Sequence, residues 1–522
     1  MKFSSLVVVL GLAGSTIGDD SFQQSCDSMI KKINISNVHV HFVDYVPAGT
    51  NLTFPDRVSS CSQGPQPVSV DLCRVAMAVA TSNDSQISLE AWLPRNYTGR
   101  FLSTGNGGLG GCIQYYDLAY AASLGFAVVG ANNGHNGTSG EPFFRHPAVV
   151  EDFAYRSIHT GVVVGKELTK SFYPQGFKKS YYLGCSTGGR QGFKSVQRFP
   201  HDFDGVVAGA PAMNFINLIS WVGHFYRITG SNETDTYLSP ALWSVVHEEI
   251  TRQCDGMDGA IDGIIENPDL CHPVIDTLIC NPSSNQTACL SGAQAHTVRQ
   301  VLSPMYSQNG TLLYPRMQPG SELVSSQVLY TGQPFSFSTD WFRYVTYSDP
   351  NWNPASLDVH AAHDALEQNP YDIQTWDADL SSFQSAGGKL LSYHGTQDYL
   401  ISSENSKLYY SRVAEEMNMS PSELDDFYRF FPISGMSHCI SGTGASLIGN
   451  TAQQFSGTDP EDNVLMAMVK WVEEGIAPET VRRSKNGDNG ELLYRRKHCK
   501  WPKRNVHVGP GNYTDENSWQ CV

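Results

Sequence analysis

The sequence predicts an α/β protein: a sheet of alternating strands and helices, interrupted by a second, inserted domain. Three observations lead there. From residue 86 to about residue 210, short apolar runs alternate with helical spacing. Between Met213 and Ala386 that rhythm is lost, and at Gly387 it returns. A chain of 522 residues has room for roughly two to four domains of ~150 residues each, so an insertion is affordable.

Taken in order, "ISLEAWLP", "GRFLSTG" and "GFAVVGAN" read as strands divided by glycine turns. "FAYRSIHTGVVVGKELTKSF" has helical spacing and "SYYLG" is a strand. "RQGFKSVQRF" is a helix and "FDGVVAGAPA" a further apolar run. After the gap, "GGKLLSYHGTQD" and "DFYRFFPISG" read as strands, each followed by a helix, "SENSKLYYSRVAEEM" and "NVLMAMVKWVEEG". Residues 19–212 and 387–522 therefore form one α/β domain. Residues 213–386 form the insertion, with four cysteines, an Asp-Gly cluster and Asn/Pro/Ser-rich passages.

Residues 1–18 read as a secretory signal peptide. Lys2 precedes the apolar run Leu6 to Ala13, and small residues follow at Thr16 and Gly18. The run is too short to span a bilayer, and no other apolar stretch approaches that length. Ten Asn-x-Ser/Thr sequons support export: Asn34, Asn51, Asn83, Asn96, Asn136, Asn232, Asn285, Asn309, Asn418 and Asn512. So do twelve cysteines with no C-x-x-C, which suit a disulfide framework better than a zinc site. The expected protein is a secreted, extracellular glycoprotein with no membrane partner. A net charge of −16 excludes nucleic acid, whose affinity needs phosphate neutralisation. The basic stretch from Arg482 to Lys503 is interrupted and reads as a solvated strip.

The stretch "SYYLGCSTGGRQGF" carries the chemistry. A strand runs into Gly184-Cys185-Ser186-Thr187-Gly188, a Gly-x-Ser-x-Gly turn that opens a helix. Serine is a poor nucleophile unless a base lies within hydrogen-bond reach and a third group orients that base. Gly184 and Gly188 remove side chains where strand and helix crowd. The Thr187 N–H at the helix start is an oxyanion donor. Asp398 closes "LLSYHGTQD" and His438 sits in "FPISGMSHC", each just after an apolar strand pattern. The order Ser186, Asp398, His438 suits a triad. Since serine and histidine meet in a triad, their neighbours Cys185 and Cys439 can reach the Cα separation that a disulfide needs.

In "CDGMDGAIDGIIENPDLC", Asp255, Asp258 and Asp262 recur among glycines without a lysine or arginine partner. Crowded carboxylates repel unless a cation neutralises them, and oxygen-only ligands select calcium before magnesium. Backbone carbonyls such as those of Ala260 and Ile264 could complete the shell. A solvated acidic turn is the alternative reading.

The paired "GCSTGG" and "GMSHC", the "HGTQD" between them, the Asp-Gly cluster and passages such as "EAWLPRNYTGRFLSTGNGG" resemble the fungal tannase/feruloyl esterase family. The resemblance extends over essentially the whole mature chain. It implies an α/β-hydrolase fold with a large inserted lid domain. It implies a catalytic triad of Ser186, Asp398 and His438, and a structural calcium on Asp255, Asp258, Ala260, Asp262 and Ile264. It also implies the pairs Cys26–Cys73, Cys61–Cys112, Cys185–Cys439, Cys254–Cys271, Cys280–Cys289 and Cys499–Cys521. The glycine-rich "STGNGGLGG" offers Gly107 or Gly108 as the second oxyanion donor.

The implied activity is that of a serine carboxylesterase acting on feruloyl or p-coumaroyl esters of plant cell-wall polysaccharides such as xylan. A tannase cleaving galloyl esters with the same triad is the alternative. A wall-binding glycoprotein is the non-enzymatic rival. The two enzymes differ in what their acyl slot requires. A cinnamoyl ring, set off by its vinyl spacer, wants a long apolar slot, whereas three gallate hydroxyls want polar partners.

Overall fold

The computed structural model describes residues 17–281, 288–454 and 457–522. Residues 1–16 of the expected signal peptide and the sequon at Asn285 lie outside the described residues. The other nine sequon asparagines are all exposed. No helix among the described residues is long and apolar enough to cross a membrane.

Nine strands build one sheet: β1 (Val38–Val46), β2 (Leu72–Ala80), β3 (Gln86–Pro94), β4 (Arg100–Thr104), β5 (Phe126–Ala131), β6 (Lys179–Cys185), β7 (Gly205–Gly209), β8 (Lys389–Gly395) and β9 (Tyr428–Ile433). In space they run β1-β2-β3-β5-β4-β6-β7-β8-β9. The first four in that order pair antiparallel. From β5 to β9 every pairing is parallel. Parallel strands covered on both faces read as unbroken apolar runs, and β5 and β7 are buried at every residue. β1 is an edge strand with polar residues at alternate, exposed positions. That pattern explains why β1 is not legible as a core strand.

Among the helices are α1 (Ile17–Met29), α2 (Tyr115–Ser123), α3 (Ser157–Phe172), α4 (Thr187–Arg198), α5 (Phe215–Thr229), α6 (Pro240–Cys254), α7 (Ser403–Glu416) and α8 (Val464–Glu474), with others between them. Successive strand residues face opposite sides. Tyr182, Val206 and Leu390 pack with α3, α4 and α7 on one face. Tyr181, Val207 and Leu391 pack with α2 and α8 on the other. The connections leaving β4 and β6 therefore go to opposite faces. Such a switch point opens a crevice outside the carboxyl ends of the strands.

α5 is apolar nearly all round, as a helix enclosed by other elements should be. It is the centre of a separate core with Trp243, Tyr330 and Trp341. Leu109, Phe143 and Phe153, from the loops after β4 and β5, join that core. The segment 213–386 is thus packed against the end of the sheet where the crevice lies. Six disulfides close the chain: Cys26–Cys73, Cys61–Cys112, Cys185–Cys439, Cys254–Cys271, Cys280–Cys289 and Cys499–Cys521. No described cysteine is free.

Candidate active site

β6 ends at Cys185 and α4 starts at Thr187, so Ser186 alone makes the turn, at φ +64° and ψ −123°. Left-handed backbone at a non-glycine residue carries strain and is held only by its surroundings. Here the Ser186 N–H donates to the Gly209 carbonyl at 3.0 Å, and the Ser186 carbonyl accepts from Ala212 at 3.0 Å. The glycines are required by contact. A Cβ on Gly184 would stand 2.8 Å from the Gly188 backbone, and one on Gly189 only 2.3 Å from the Gly209 carbonyl oxygen. The last glycine of "GCSTGG", Gly189, thus lets α4 start directly against β7.

Ser186, Asp398 and His438, 252 residues apart at the extremes, form one hydrogen-bonded chain. Ser186 Oγ lies 2.9 Å from His438 Nε2, and His438 Nδ1 lies 2.7 Å from Asp398 Oδ2. Asp398 is wholly buried. Its Oδ1 accepts the N–H groups of Leu400 at 2.8 Å and Ile401 at 2.9 Å. Burial alone would raise the Asp398 pKa. Electrostatic attraction and hydrogen bonds from His438 and His394 more than reverse that and hold the carboxyl well below the usual range. An ionised Asp398 fixes the proton of His438 on Nδ1 and leaves Nε2 free to accept from Ser186.

His394 is a partner that the sequence reading does not identify, although it stands in the quoted "SYHGTQD". Its Nε2 faces two acceptors, Asp398 Oδ2 at 3.2 Å and the Ile401 carbonyl at 3.0 Å, so Nε2 carries the hydrogen. Its Nδ1 accepts from the Ser406 hydroxyl at 2.8 Å. Its place four residues before the aspartate, at the end of the same strand, is the signal that could have found it.

Cys185 and Cys439 are bridged, with Cα atoms 6.0 Å apart. The bridge ties the strand end before the serine to the loop after the histidine. Thr187 is the first residue of α4, so its N–H has no intrahelical acceptor. Its hydroxyl donates to the Gly108 carbonyl at 2.7 Å, which fastens the glycine loop beside Ser186. Gly108 has φ +58°, and a Cβ there would meet the Phe337 ring at 2.6 Å. Beneath this loop lies a buried amide network, also missed from the sequence. Gln191 accepts from the Asn106 N–H at 3.0 Å and donates to the side chains of Asn106 and Asn133.

Ser186 stands between two cavities. A narrow slot is lined by Leu109, Phe215, Leu218, Ile219, Val222 and Phe337, among others. Ser186 and Thr187 are its only polar side chains among the described residues. On the His438 side lies a wider cleft of about 340 Å³.

The Asp-Gly cluster forms a separate site beside α6. Asp255 accepts the N–H groups of Asp262, Gly263 and Ile264 at 3.0–3.3 Å. The expectation that these carboxylates lack a basic partner is corrected here. Arg496, 234 positions away, donates to Asp262 at 2.7 Å and to Glu266 at 3.3 Å, and stacks on Trp519. Asp258 is different. Its Oδ1 accepts from Ala260 at 2.8 Å, while its buried Oδ2 has no partner. Burial, with Glu266 and Asp262 nearby, pushes this carboxyl up to about 7. Among the described residues no three acidic, histidine or cysteine side chains converge as a ligand set. A cation here would also draw on backbone carbonyls.

A mainly parallel sheet that presents a serine at a strand–helix turn, with an aspartate and a histidine on later strand ends, defines an α/β hydrolase. The chain belongs to the tannase and feruloyl esterase family, whose model matches residues 73–522. It is 68% identical over 522 residues to a probable feruloyl esterase B-2 of Neosartorya fischeri, covering 99% of both chains. Two solved structures from Aspergillus oryzae are similar throughout. One is an esterase at 66% identity and the other a feruloyl esterase B at 59%. Each gives a TM-score of 0.95 and covers 96% of this chain and 100% of the other.

Proposed function

We propose that this protein is a secreted serine esterase that hydrolyses hydroxycinnamoyl esters, such as feruloyl and p-coumaroyl esters, of plant cell-wall polysaccharide. Ser186 attacks the ester carbonyl while His438 Nε2 takes its proton. The N–H of Thr187, with one from the Gly107–Gly108 loop, receives the developing oxyanion. The C–O bond to the alcohol breaks, and His438 returns the proton to the leaving oxygen. Water, deprotonated by His438, then releases the acid from Ser186. Asp398 remains ionised and orients His438 throughout.

The observation that carries the acyl preference is the slot. Its lining, apolar but for Ser186 and Thr187, favours an aromatic ring over the three hydroxyls of a gallate, and its free volume of about 30 Å³ means that the side chains around it must part to admit the ring. Stranded hydroxyls discriminate strongly, so methyl ferulate should exceed methyl gallate in kcat/KM by at least about tenfold. The reverse ranking would make the enzyme a tannase. Export is supported by six disulfides and nine exposed sequon asparagines, and secretion from a fungal host tests it.

The unpartnered Asp258 Oδ2 is what a hard cation would satisfy. Asp255, Asp258 and Asp262, with the carbonyls of Ala260 and Ile264, would hold a structural calcium whose charge offsets the crowded carboxylates. It lies outside the reaction.

A further inference from the structure

His438 borders the cleft and not the slot. It must hand its proton to the leaving oxygen, so the alcohol half of the ester lies in the cleft and the acyl ring in the slot. The slot as it stands does not hold that ring. Its free volume is about 30 Å³, whereas a cavity of about 150 Å³ is what accepts a benzene ring. Part of its wall must therefore move.

The wall is not uniform. Leu109, Phe215, Leu218, Ile219 and Val222 are at most 5% exposed and belong to the core around α5. A close-packed interior leaves such side chains no space to turn into. Phe335, Phe337 and Leu400 are half-buried and sit at the edge of that core. Of these three, Phe335 lines the slot alone, while Phe337 and Leu400 line both the slot and the cleft. They are the partition between the two cavities, and the cleft of about 340 Å³ is open space on its far side.

Phe337 is the larger of the two, so its displacement frees the most volume. Its ring lies over Gly108, where no side chain holds it in place; a Cβ there would stand 2.6 Å away. The backbone that carries it is pinned. The hydroxyl of the next residue, Ser338, donates to the Ile219 carbonyl at 2.6 Å, and Asp340 accepts the Gly140 N–H at 2.9 Å. The motion is thus a rotation of one side chain on a fixed backbone, a fast event for a partly exposed residue.

We propose that Phe337 is a movable partition that sets acyl specificity. Its ring swings from over Gly108 towards the cleft, the slot and the cleft join, and the acyl ring enters the space it leaves. The size of that space then limits how many methoxy groups the acyl ring can carry. The proposal rests on the reading of the slot as the acyl site of a hydroxycinnamoyl esterase.

The test compares kcat/KM for methyl p-coumarate and methyl sinapate, whose rings carry no methoxy group and two. Phe337→Ala should raise the sinapate-to-p-coumarate ratio at least tenfold. Phe337→Trp, a bulkier partition, should lower kcat/KM for methyl ferulate at least tenfold relative to p-nitrophenyl acetate, whose acetyl group needs no slot. A sinapate-to-p-coumarate ratio unmoved by Phe337→Ala overturns the partition and leaves the esterase reading standing. Wild-type protein that cleaves p-nitrophenyl acetate and none of the three methyl esters overturns both. A direct measurement keeps Phe337 itself. A crystal structure of Ser186→Ala soaked with methyl ferulate should show the acyl ring in the slot and the Phe337 ring displaced from Gly108. An acyl ring lodged in the cleft, with Phe337 in place, overturns the proposal.

Discussion

Asp398, hydrogen-bonded to His438 beside Ser186, and Asp258, beside α6, are both buried carboxylates, and their surroundings treat them in opposite ways. Asp398 receives two backbone N–H groups on one oxygen and two histidines on the other. Asp258 receives one backbone N–H and keeps a bare oxygen. The first carboxyl is held well below its usual range, and the second is pushed up to about 7. Burial is common to both, so the donors decide the charge. Asp398 is ionised by the fold itself, as the proposed triad requires of the carboxylate that orients His438. Asp258 is left to be completed by something from outside.

The largest effect should come from removing a member of the self-sufficient site. Asp398→Asn would let the amide donate towards His438 and favour the wrong tautomer, so kcat should fall by about 10⁴-fold with the fold intact. Steady-state kinetics alongside near-UV circular dichroism checks this. Near-wild-type turnover would sink the triad.

Next in size is the clip. With Cys185 and Cys439 both changed to alanine, the serine turn and the histidine loop lose their covalent tie. A displacement of about 1 Å between reacting groups can cost ~10²-fold in rate. Full turnover in a folded double variant would reduce the bridge to a stability element of ~2–5 kcal/mol.

The carboxylate that is open to the outside should respond to metal and not in the chemistry. Elemental analysis after exhaustive dialysis should find about one calcium per chain, as six to eight oxygens around one ion would require. Asp258→Asn should lose that ion and several degrees of Tm while kcat changes little. A metal-free native protein, equally stable with and without a chelator, would return the loop to a solvated acidic turn.

The two regions also differ in how much of them can be read in sequence. Around Ser186 each requirement is local. Gly184 and Gly188 must be small, and Asp398 and His438 must follow apolar strands, so the motif, the order and the Cys185–Cys439 bridge are all legible. His394 and the Gln191–Asn106–Asn133 network are not, because a buried polar residue looks like any other until its partner's position is known. The edge strand β1 hides because polar, exposed residues at His39, His41 and Asp44 break its apolar run. In the acidic loop the residue types are legible but the charge balance is not. Arg496 comes from the antiparallel pair Thr480–Asn486 and Leu492–Cys499, more than two hundred residues away, and no periodicity marks it. The slot is a joint product of the sheet end and segment 213–386, and the cleft gathers loops from both halves of the sheet domain with Phe337 alone from that segment, so neither lining has a signature along the chain.

The smallest effect sharpens the comparison most directly, since it reads the charge of Asp398 without catalysis. A carboxyl whose pKa is depressed on folding binds fewer protons than its unfolded counterpart in the interval between the two values. The unfolded value is about 3.9, and the folded one lies well below it. Stability from this group is therefore complete above about pH 4 and is lost as the pH falls towards the folded pKa. In Asp398→Asn the amide does not titrate. The variant should start from a lower Tm at pH 6, because His438 and His394 lose their ionised partner. Its Tm should then fall less steeply than that of the wild-type protein between pH 4 and pH 2. Parallel slopes over that interval would mean that Asp398 is not held ionised by its four donors, and the contrast with Asp258 would collapse.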